Sequence, residues 1–400
     1  MHDIKFIREH HDLLRKDLEK RQDKAKLEWV GDILRYDEEW RKLNKLAEEL
    51  RRKRNEVSQK INELKKKKED AAAFLNEAKE IPNKISEIED KTGKIKEKML
   101  YLQMRLPNIL HESVPYGKDE KDNKVERVFG KIKKTDFEIL PHGEWIQNNF
   151  LGDFDKAAEV AGKGFNYLIG SLALLDQALM QFAIAKLVKK GFLLVEPPFM
   201  LRREAYEGVT DLADFETTMY KLQGEDMYLI ATSEHPICAM LMNESIEEEK
   251  LPVKYCGISA CFRKEIGSHG IDEKGLFRVH QFNKIEQFIF CKPEDSWKFH
   301  EDLITNAEEI FKELGIPYRV VSVCTGDIGT VAAKKYDLEV WMPREDSYKE
   351  AVSCSNCTAY QAARLNIKYK KGSEKEYVHT LNSTAIATGR AIRAIIENFQ

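Results

Sequence analysis

Two arginines, two carboxylates and an aromatic ring fall at alternate positions in two neighbouring stretches of this sequence. Arg263 and Glu265 lie in the run Cys261-Phe262-Arg263-Lys264-Glu265, and Arg278, Phe282 and Glu286 lie in Leu276 to Glu286. Both stretches, Val253 to Ile266 and Leu276 to Phe290, are rich in β-formers, while Gly267, Ser268, Gly270, Asp272 and Gly275 between them are turn formers. The pattern predicts a hairpin with a long loop. Side chains alternate along a strand, so Arg263 and Glu265 are expected on one face of the first strand, and Arg278, Phe282 and Glu286 on one face of the second. Such a face offers a bidentate clamp for phosphate or carboxylate, a plate for stacking a base, and an acceptor for an ammonium or hydroxyl. Composition alone leaves the alternative open, a solvated charged sheet face.

Three further groups accompany this pair of strands: Thr232-Ser233-Glu234, Ser353-Cys354-Ser355-Asn356-Cys357-Thr358, and Ala387-Thr388-Gly389-Arg390 with Glu397-Asn398. The run Phe262 to Glu265, then Gly267 to Gly270, Arg278 to Phe282 and Lys284 to Glu286 resembles motif 2 of the seryl-tRNA synthetases, which are class II enzymes. Thr232-Ser233-Glu234 is similar to that family's serine-binding loop, the segment from Ser353 to its nucleotide loop, and the segment from Ala387 to motif 3. Four spaced signatures in the family's order are more specific than a lone glycine pattern.

The resemblance implies an enzyme that activates L-serine with ATP and transfers it to serine tRNA. It implies that Arg263 bridges the serine carboxylate and the α-phosphate, and that Arg390 holds the γ-phosphate end of a bent ATP. Arg263, Arg390 and Glu286 form the implied catalytic set. Serine would be held by Thr232, Ser233, Glu234, Arg263, Glu286 and Thr384, with Glu286 and Thr384 reading the hydroxyl and Thr232 and Glu234 the ammonium. ATP would meet Arg263, Lys264, Glu265, Val279, Phe282, Glu350, Ala351, Val352, Ser353 and Arg390, with Phe282 stacked on adenine. Glu350 and Ser353 match the family's Mg²⁺ ligands, an oxygen set suited to a hard cation. Discrimination against alanine would rest on a pocket whose polar groups go unpaired when the hydroxyl is missing.

To position these groups, 400 residues suffice for two or three domains with a large buried core. The 65 Lys and Arg nearly balance the 68 Asp and Glu, so any basic surface for nucleic acid must be local. Seven scattered cysteines fit a reducing cytoplasm. Cys354 and Cys357 lack a second pair and a nearby His, so no zinc is expected. The first residues, Met1 to Arg21, carry no signal-like apolar core. The apolar region Leu168 to Val188 is broken by Asp176, Gln177, Gln181 and Lys186, so it reads as a core or interface helix, with no membrane partner. No phosphate-binding loop of the Gly-x-x-x-x-Gly-Lys type is present.

From Ile33 the apolar positions Tyr36, Trp40, Leu43, Ala47, Leu50, Val57, Ile61 and Leu64 make a heptad seam interrupted at Arg54. A second seam runs Ile85, Ile88, Ile95, Met99, Leu102 and Leu106, with Thr92 as its exception and Pro107 as its stop. Two helices of similar length in an antiparallel hairpin are expected, the second kinked, broken or restarted at Pro82. Periodicity leaves a dimerisation coiled coil and a tRNA arm both open, and the resemblance implies the arm, with Lys65 to Lys68 facing phosphates. Residues 107–165 read as a connection, and the catalytic body is expected to begin near Gly164.

The expected fold class is α+β: an N-terminal antiparallel two-helix coiled-coil arm in residues 1–110, and in 111–400 a class II catalytic domain with an antiparallel β-sheet flanked by helices. Motif 1 is placed near 172–198, motif 2 near 254–290 and motif 3 near 381–400, and motif 1 implies a homodimer. Val352 and the run Ala385 to Thr388 are closer to the archaeal and eukaryotic branch. Family members carry a segment beyond motif 3, where this sequence ends at Gln400. The rival readings are a non-catalytic paralogue that kept the fold, and a ligase that charges a carrier protein and needs no long arm.

Overall fold

The computed structural model describes residues 1–212, 216–265 and 275–400. Ile266, Gly267, Ser268, His269, Gly270 and Asp272 of the expected loop lie outside the described residues. The chain divides into two compact units, His2–Leu106 and Pro107–Gln400, with Met1 belonging to the second.

The first unit is dominated by α1 (Lys24–Lys67, 44 residues) and α2 (Ala72–Gln103, 32 residues). The Asp23 carboxylate caps α1 through the Lys26 N–H at 3.1 Å, and Lys68 ends it in the left-handed region at φ +56°. The two helices are therefore unequal, because α1 begins before the seam does. Val57 and Ile61 pack on Ile81 and Ile85, and Arg51 pairs with Glu89 across the hairpin at 2.7 Å. Pro82 lies within a continuous α2, contrary to the expected break. It removes one backbone bond, whereas stopping there would strip Ile81 and Ile85 from their partners on α1. Thr92, the polar position in the seam, turns its hydroxyl back to donate to the Ile88 carbonyl at 2.7 Å.

The second unit is built on an eight-stranded sheet. Its strands in chain order are β1 (Lys124–Phe129), β2 (Leu193–Val195), β3 (Val253–Phe262), β4 (Gln281–Cys291), β5 (Tyr318–Ser322), β6 (Lys334–Met342), β7 (Ser347–Asn356) and β8 (His379–Ala387). They lie in the order β1-β5-β6-β7-β8-β4-β3-β2, antiparallel except for the edge pair β2 and β3. Because β1 belongs to this sheet, residues before Gly164 are part of the body rather than a connection to it.

Helices cover the sheet: α3 (His142–Asn148), α4 (Ser171–Lys189), α5 (Arg203–Val209), α6 (Glu234–Ala239), α7 (Ser296–Glu313), α8 (Tyr360–Leu365) and α9 (Thr388–Phe399). By length and composition α4 could cross a membrane. Here its face of Leu172, Leu179, Met180, Ala183, Ile184 and Leu187 joins the core beneath β4 and β8, while Lys186 pairs with Glu313 on α7 at 2.5 Å. Cys354 and Cys357 are buried, with the Cys354 thiol against the His300 carbonyl and the Cys357 sulfur accepting from Asn382.

Candidate active site

The cavity of the second unit opens over the middle of the sheet, where β3, β4, β7 and β8 meet the start of α9. Thr232, Glu234, Arg263, Glu265, Val279, Phe282, Lys284, Glu286, Glu350, Ala351, Ser353, Thr384 and Arg390 all line it. The first strand ends at Phe262, one residue before Arg263, and the second begins at Gln281, so Arg278 is not on a strand. It is exposed rather than grouped with Phe282 and Glu286. Glu265 adopts φ +41°, in the left-handed region and outside strand geometry. Alternation on β4 does hold: Phe282, Lys284 and Glu286 share the cavity face.

Three other expected residues point elsewhere. The Ser233 hydroxyl donates to the Gly257 carbonyl at 3.5 Å, where a Cβ on Gly257 would collide with it. Val352 is fully buried in the core. Lys264 extends over the Tyr220 ring at 5.8 Å, and its backbone N–H donates to Thr218.

Two β-bulges decide which residues face the cavity. Glu350 and Ser353 are an odd number of positions apart, so regular alternation would separate them. The register between β6 and β7 slips there, pairing Leu338 with Val352 but Glu339 with Glu350. The extra residue, Ala351, brings both oxygens to one face. On β8 the same slip at Ala385 places Thr384 directly opposite Glu286 while keeping Ala387 on the cavity wall.

One end of the cavity is acidic and closed. Glu286 forms an ion pair with Lys284, both buried, and accepts from the Thr384 hydroxyl at 3.5 Å. Burial raises the Glu286 carboxyl against the opposing pull of Lys284 and Arg263. Burial also lifts Glu234 to about 7, helped by the Glu286 charge and opposed by Lys284, Gln361 and Arg263. The start of α6, with Thr232 just before it and Glu234 its first residue, is held by the Tyr206 hydroxyl, which accepts from the Ala231 N–H at 3.2 Å and meets His235 Nδ1 at 2.8 Å. His235 is driven down to about 3 by burial, so its neutral ring accepts that hydroxyl proton.

The other end is cationic. The Arg263 guanidinium lies 5.3 Å from the centre of the Phe282 ring, and its Nε donates to the Ala231 carbonyl at 3.4 Å. Arg390, on the first turn of α9, donates from Nη1 to the Glu350 carbonyl at 2.8 Å and to its carboxylate at 3.3 Å. Gly389 is required beside it, since a Cβ would lie 2.6 Å from the Leu276 carbonyl. Burial favours protonation of Glu350, but Lys335, Arg390 and Arg263 outweigh it and keep the carboxyl ionised.

Lys284, Asn382, Leu276, Phe277, Ala387 and Gly389 also line the cavity and were not among the expected site residues. For Lys284 the signal was present, since it shares the parity of Phe282 and Glu286. The guanidinium carbons of Arg390 and Arg393 each lie 4.9 Å from the centre of the Phe277 ring, a contact that needs the loop and α9 together.

Comparison with known proteins places this geometry. Residues 1–110 match the seryl-tRNA synthetase N-terminal domain, and residues 216–399 match the tRNA synthetase class II core domain (G, H, P, S and T). The serine–tRNA ligase of Methanocella arvoryzae is 58% identical over 403 residues, covering 100% of this chain and 95% of that protein. The chain belongs to the seryl-tRNA synthetase family. Within that family, the seryl-tRNA synthetase of Pyrococcus horikoshii, solved with ATP, superposes with a TM-score of 0.93 at 47% identity, covering 100% of this chain and 94% of that one. The cytoplasmic serine-tRNA ligase of Naegleria fowleri, solved with AMP, superposes with a TM-score of 0.87 at 33% identity, again covering 100% and 94%. The seryl-tRNA synthetase fold class expected from the sequence, a helical N-terminal pair and an antiparallel-rich sheet flanked by helices, is the one observed.

Proposed function

We propose that the chain activates L-serine with ATP, releases pyrophosphate, and transfers serine from the adenylate to the 3′ end of serine tRNA. The observation that carries this reading is the polarity of one cavity, with a closed acidic end sized by Glu234, Glu286 and Thr384 and a cationic end formed by Arg263 and Arg390. In activation the serine carboxylate attacks the α-phosphorus and charge builds on the phosphate. Preorganised cations there stabilise the transition state more than the ground state. Arg263, whose charge acts on Glu286 at the acidic end and on Glu350 at the cationic end, serves both the carboxylate and the α-phosphate, Arg390 the γ-phosphate, and Phe282 the adenine face. Thr232 and Glu234 take the ammonium, and Glu286 with Thr384 the hydroxyl.

Glu350 and Ser353 present two oxygens on one face, and Glu350 is kept ionised. Asp337 lies directly across from Ser353, with a buried Oδ1 that makes no hydrogen bond among the described residues. This donor set fits Mg²⁺, which when bound beside the phosphates neutralises part of their charge. Exposed Leu174 and Val188 on α4 and Leu193 and Leu194 on the edge strand β2 support a homodimer through that face. The first unit serves as the tRNA arm of a cytoplasmic enzyme without a membrane partner. A paralogue freed from catalysis has no need for the buried Glu286 and Lys284 beside an open Arg263. Serine-dependent exchange of pyrophosphate into ATP, followed by charging of serine tRNA, tests the reading, and a folded protein inactive in both refutes it.

A further inference from the structure

Behind the acidic end of the cavity stands Gln361, which belongs to none of the motifs. It lies on α8 and is fully buried. Its side-chain nitrogen donates to Glu234 Oε1 at 2.9 Å and to the Val209 carbonyl at 3.3 Å. Its oxygen accepts from the Thr380 hydroxyl, on β8, at 2.7 Å. A carbonyl cannot donate, so Val209 alone decides which end of the amide is NH₂, and Glu234 meets that same nitrogen. Three bonds to three parts of the fold therefore fix the Gln361 rotamer.

The helix that carries it is equally constrained. Arg364, on the same helix, donates to the Glu207 carbonyl at 3.0 and 2.6 Å and to the Thr210 carbonyl at 3.0 Å. Gln361 and Arg364 together satisfy carbonyls at the C-terminal end of α5, so α8 cannot drift without exposing them.

We propose that Gln361 is a positioning residue for the serine ammonium: it occupies Oε1 of Glu234, so that the other carboxylate oxygen is left for the substrate in the cavity. The proposal rests on Glu234 being the ammonium's partner. Gln361 touches neither serine nor ATP and acts only through Glu234. An N–H donated to a carboxylate favours its ionised form, and only that form pairs with an ammonium. The charged groups facing Glu234 are Glu286, which opposes ionisation, and Lys284 and Arg263, which favour it. His235 is neutral, and the buried thiols of Cys238 and Cys357 are pushed up and uncharged.

The test is pyrophosphate exchange by the full chain carrying Gln361→Met, which keeps the volume and removes the donor. The expected result is a rise of about tenfold in KM for serine, the usual loss for a hydrogen bond to a charged group. KM for ATP should stay within about twofold, and the acidic limb of kcat/KM for serine should move to higher pH. A purely structural role would shift both KM values together and leave the limb in place, and that result overturns the proposal. If Gln361→Met does not fold, Gln361→Glu carries the test, because it keeps the shape and the acceptor for Thr380. Its serine defect should grow as pH rises and the second carboxylate ionises, and a pH-independent defect overturns the proposal. Glu234→Gln is measured in parallel. An unchanged KM for serine there removes Glu234 as the ammonium's partner, whereas a raised KM with normal serine kinetics in Gln361→Met removes Gln361 alone.

Discussion

Lys284 and Glu286 stand two residues apart on β4, both buried on the cavity face, and form an ion pair that the serine hydroxyl would have to share. The pair changes what a truncation at Glu286 measures. Removing the carboxylate altogether leaves a buried ammonium without its counter-charge, a penalty paid with any amino acid in the site.

Glu286→Gln loses the counter-charge as well but keeps a side-chain oxygen that can accept from Lys284, so it disturbs the pair less than Glu286→Ala and is the cleaner probe of hydroxyl recognition. Serine activation should weaken by about 1.5–3 kcal/mol, the range for a hydrogen bond to a charged partner, while alanine, lacking the hydroxyl, loses less. Glu286→Ala should depress both substrates. Pyrophosphate exchange with serine and alanine on the same protein decides it, and an unchanged serine-to-alanine ratio removes Glu286 from the hydroxyl's contacts.

How far these contacts were legible in the sequence differs residue by residue. Strand alternation correctly joined Phe282 to Glu286, because β4 is regular across that span. It failed for Arg278, which precedes the strand, and it had no means to join Glu350 to Ser353 or Thr384 to Ala387. Those pairs depend on bulges at Ala351 and Ala385, and alanine carries no turn signature. The heptad seams located both long helices because their apolar stripes have only each other to pack on. Pro82 misled, since tertiary burial of Ile81 and Ile85 outweighs a single missing donor. Gln361 and Phe277 act through partners more than a hundred residues away, and nothing local marks them.

With Glu234 as the proposed partner of the ammonium, its carboxyl, raised to about 7, predicts that serine capture is pH-dependent in a definite direction. Below that value the free enzyme holds Glu234 protonated and unable to pair with an ammonium, so kcat/KM for serine should fall as pH drops through about 7. Stability runs the other way. A carboxyl whose folded pKa lies above its unfolded value is ionised first in the unfolded chain, so its contribution to stability declines as pH rises from about 4.5 to about 7. Without substrate, Glu234→Gln should melt at a higher temperature than the parent above pH 7 and show no such gain near pH 4. A flat kcat/KM profile between pH 6 and 8 would contradict the assignment.

Phe277 gathers two like charges, with the guanidinium carbons of Arg390 and Arg393 each 4.9 Å from its ring centre. Arg393 is further tied to Glu345 and Glu397, so the ring transmits a fixed position to Arg390. Phe277→Ala should raise KM for ATP by about 3- to 30-fold, the span of one to two partly desolvated cation–π contacts, and leave KM for serine near normal. Equal changes in both would mean that the ring serves the fold rather than the arginine.

Separating the two units tests the tRNA arm, and the structure dictates where to cut. Ile7, Leu14, Leu18, Val30 and Ile33 are buried within the unit His2–Leu106. Removing only the helical hairpin after Ile33 would strip their cover and leave an apolar remnant. A chain beginning at Pro107 avoids this, and it keeps every residue assigned to ATP and serine along with β1 of the large sheet. Serine-dependent pyrophosphate exchange should remain measurable in that protein. Charging of serine tRNA should fall by about 10²-fold or more, since each lost phosphate contact removes part of a strongly salt-dependent affinity. The loss should appear in KM for tRNA and shrink at low ionic strength, where remaining cations on the second unit count for more. Aminoacylation kinetics unchanged at physiological salt would show that the first unit is not the tRNA handle and would leave a dimerising coiled coil as its reading.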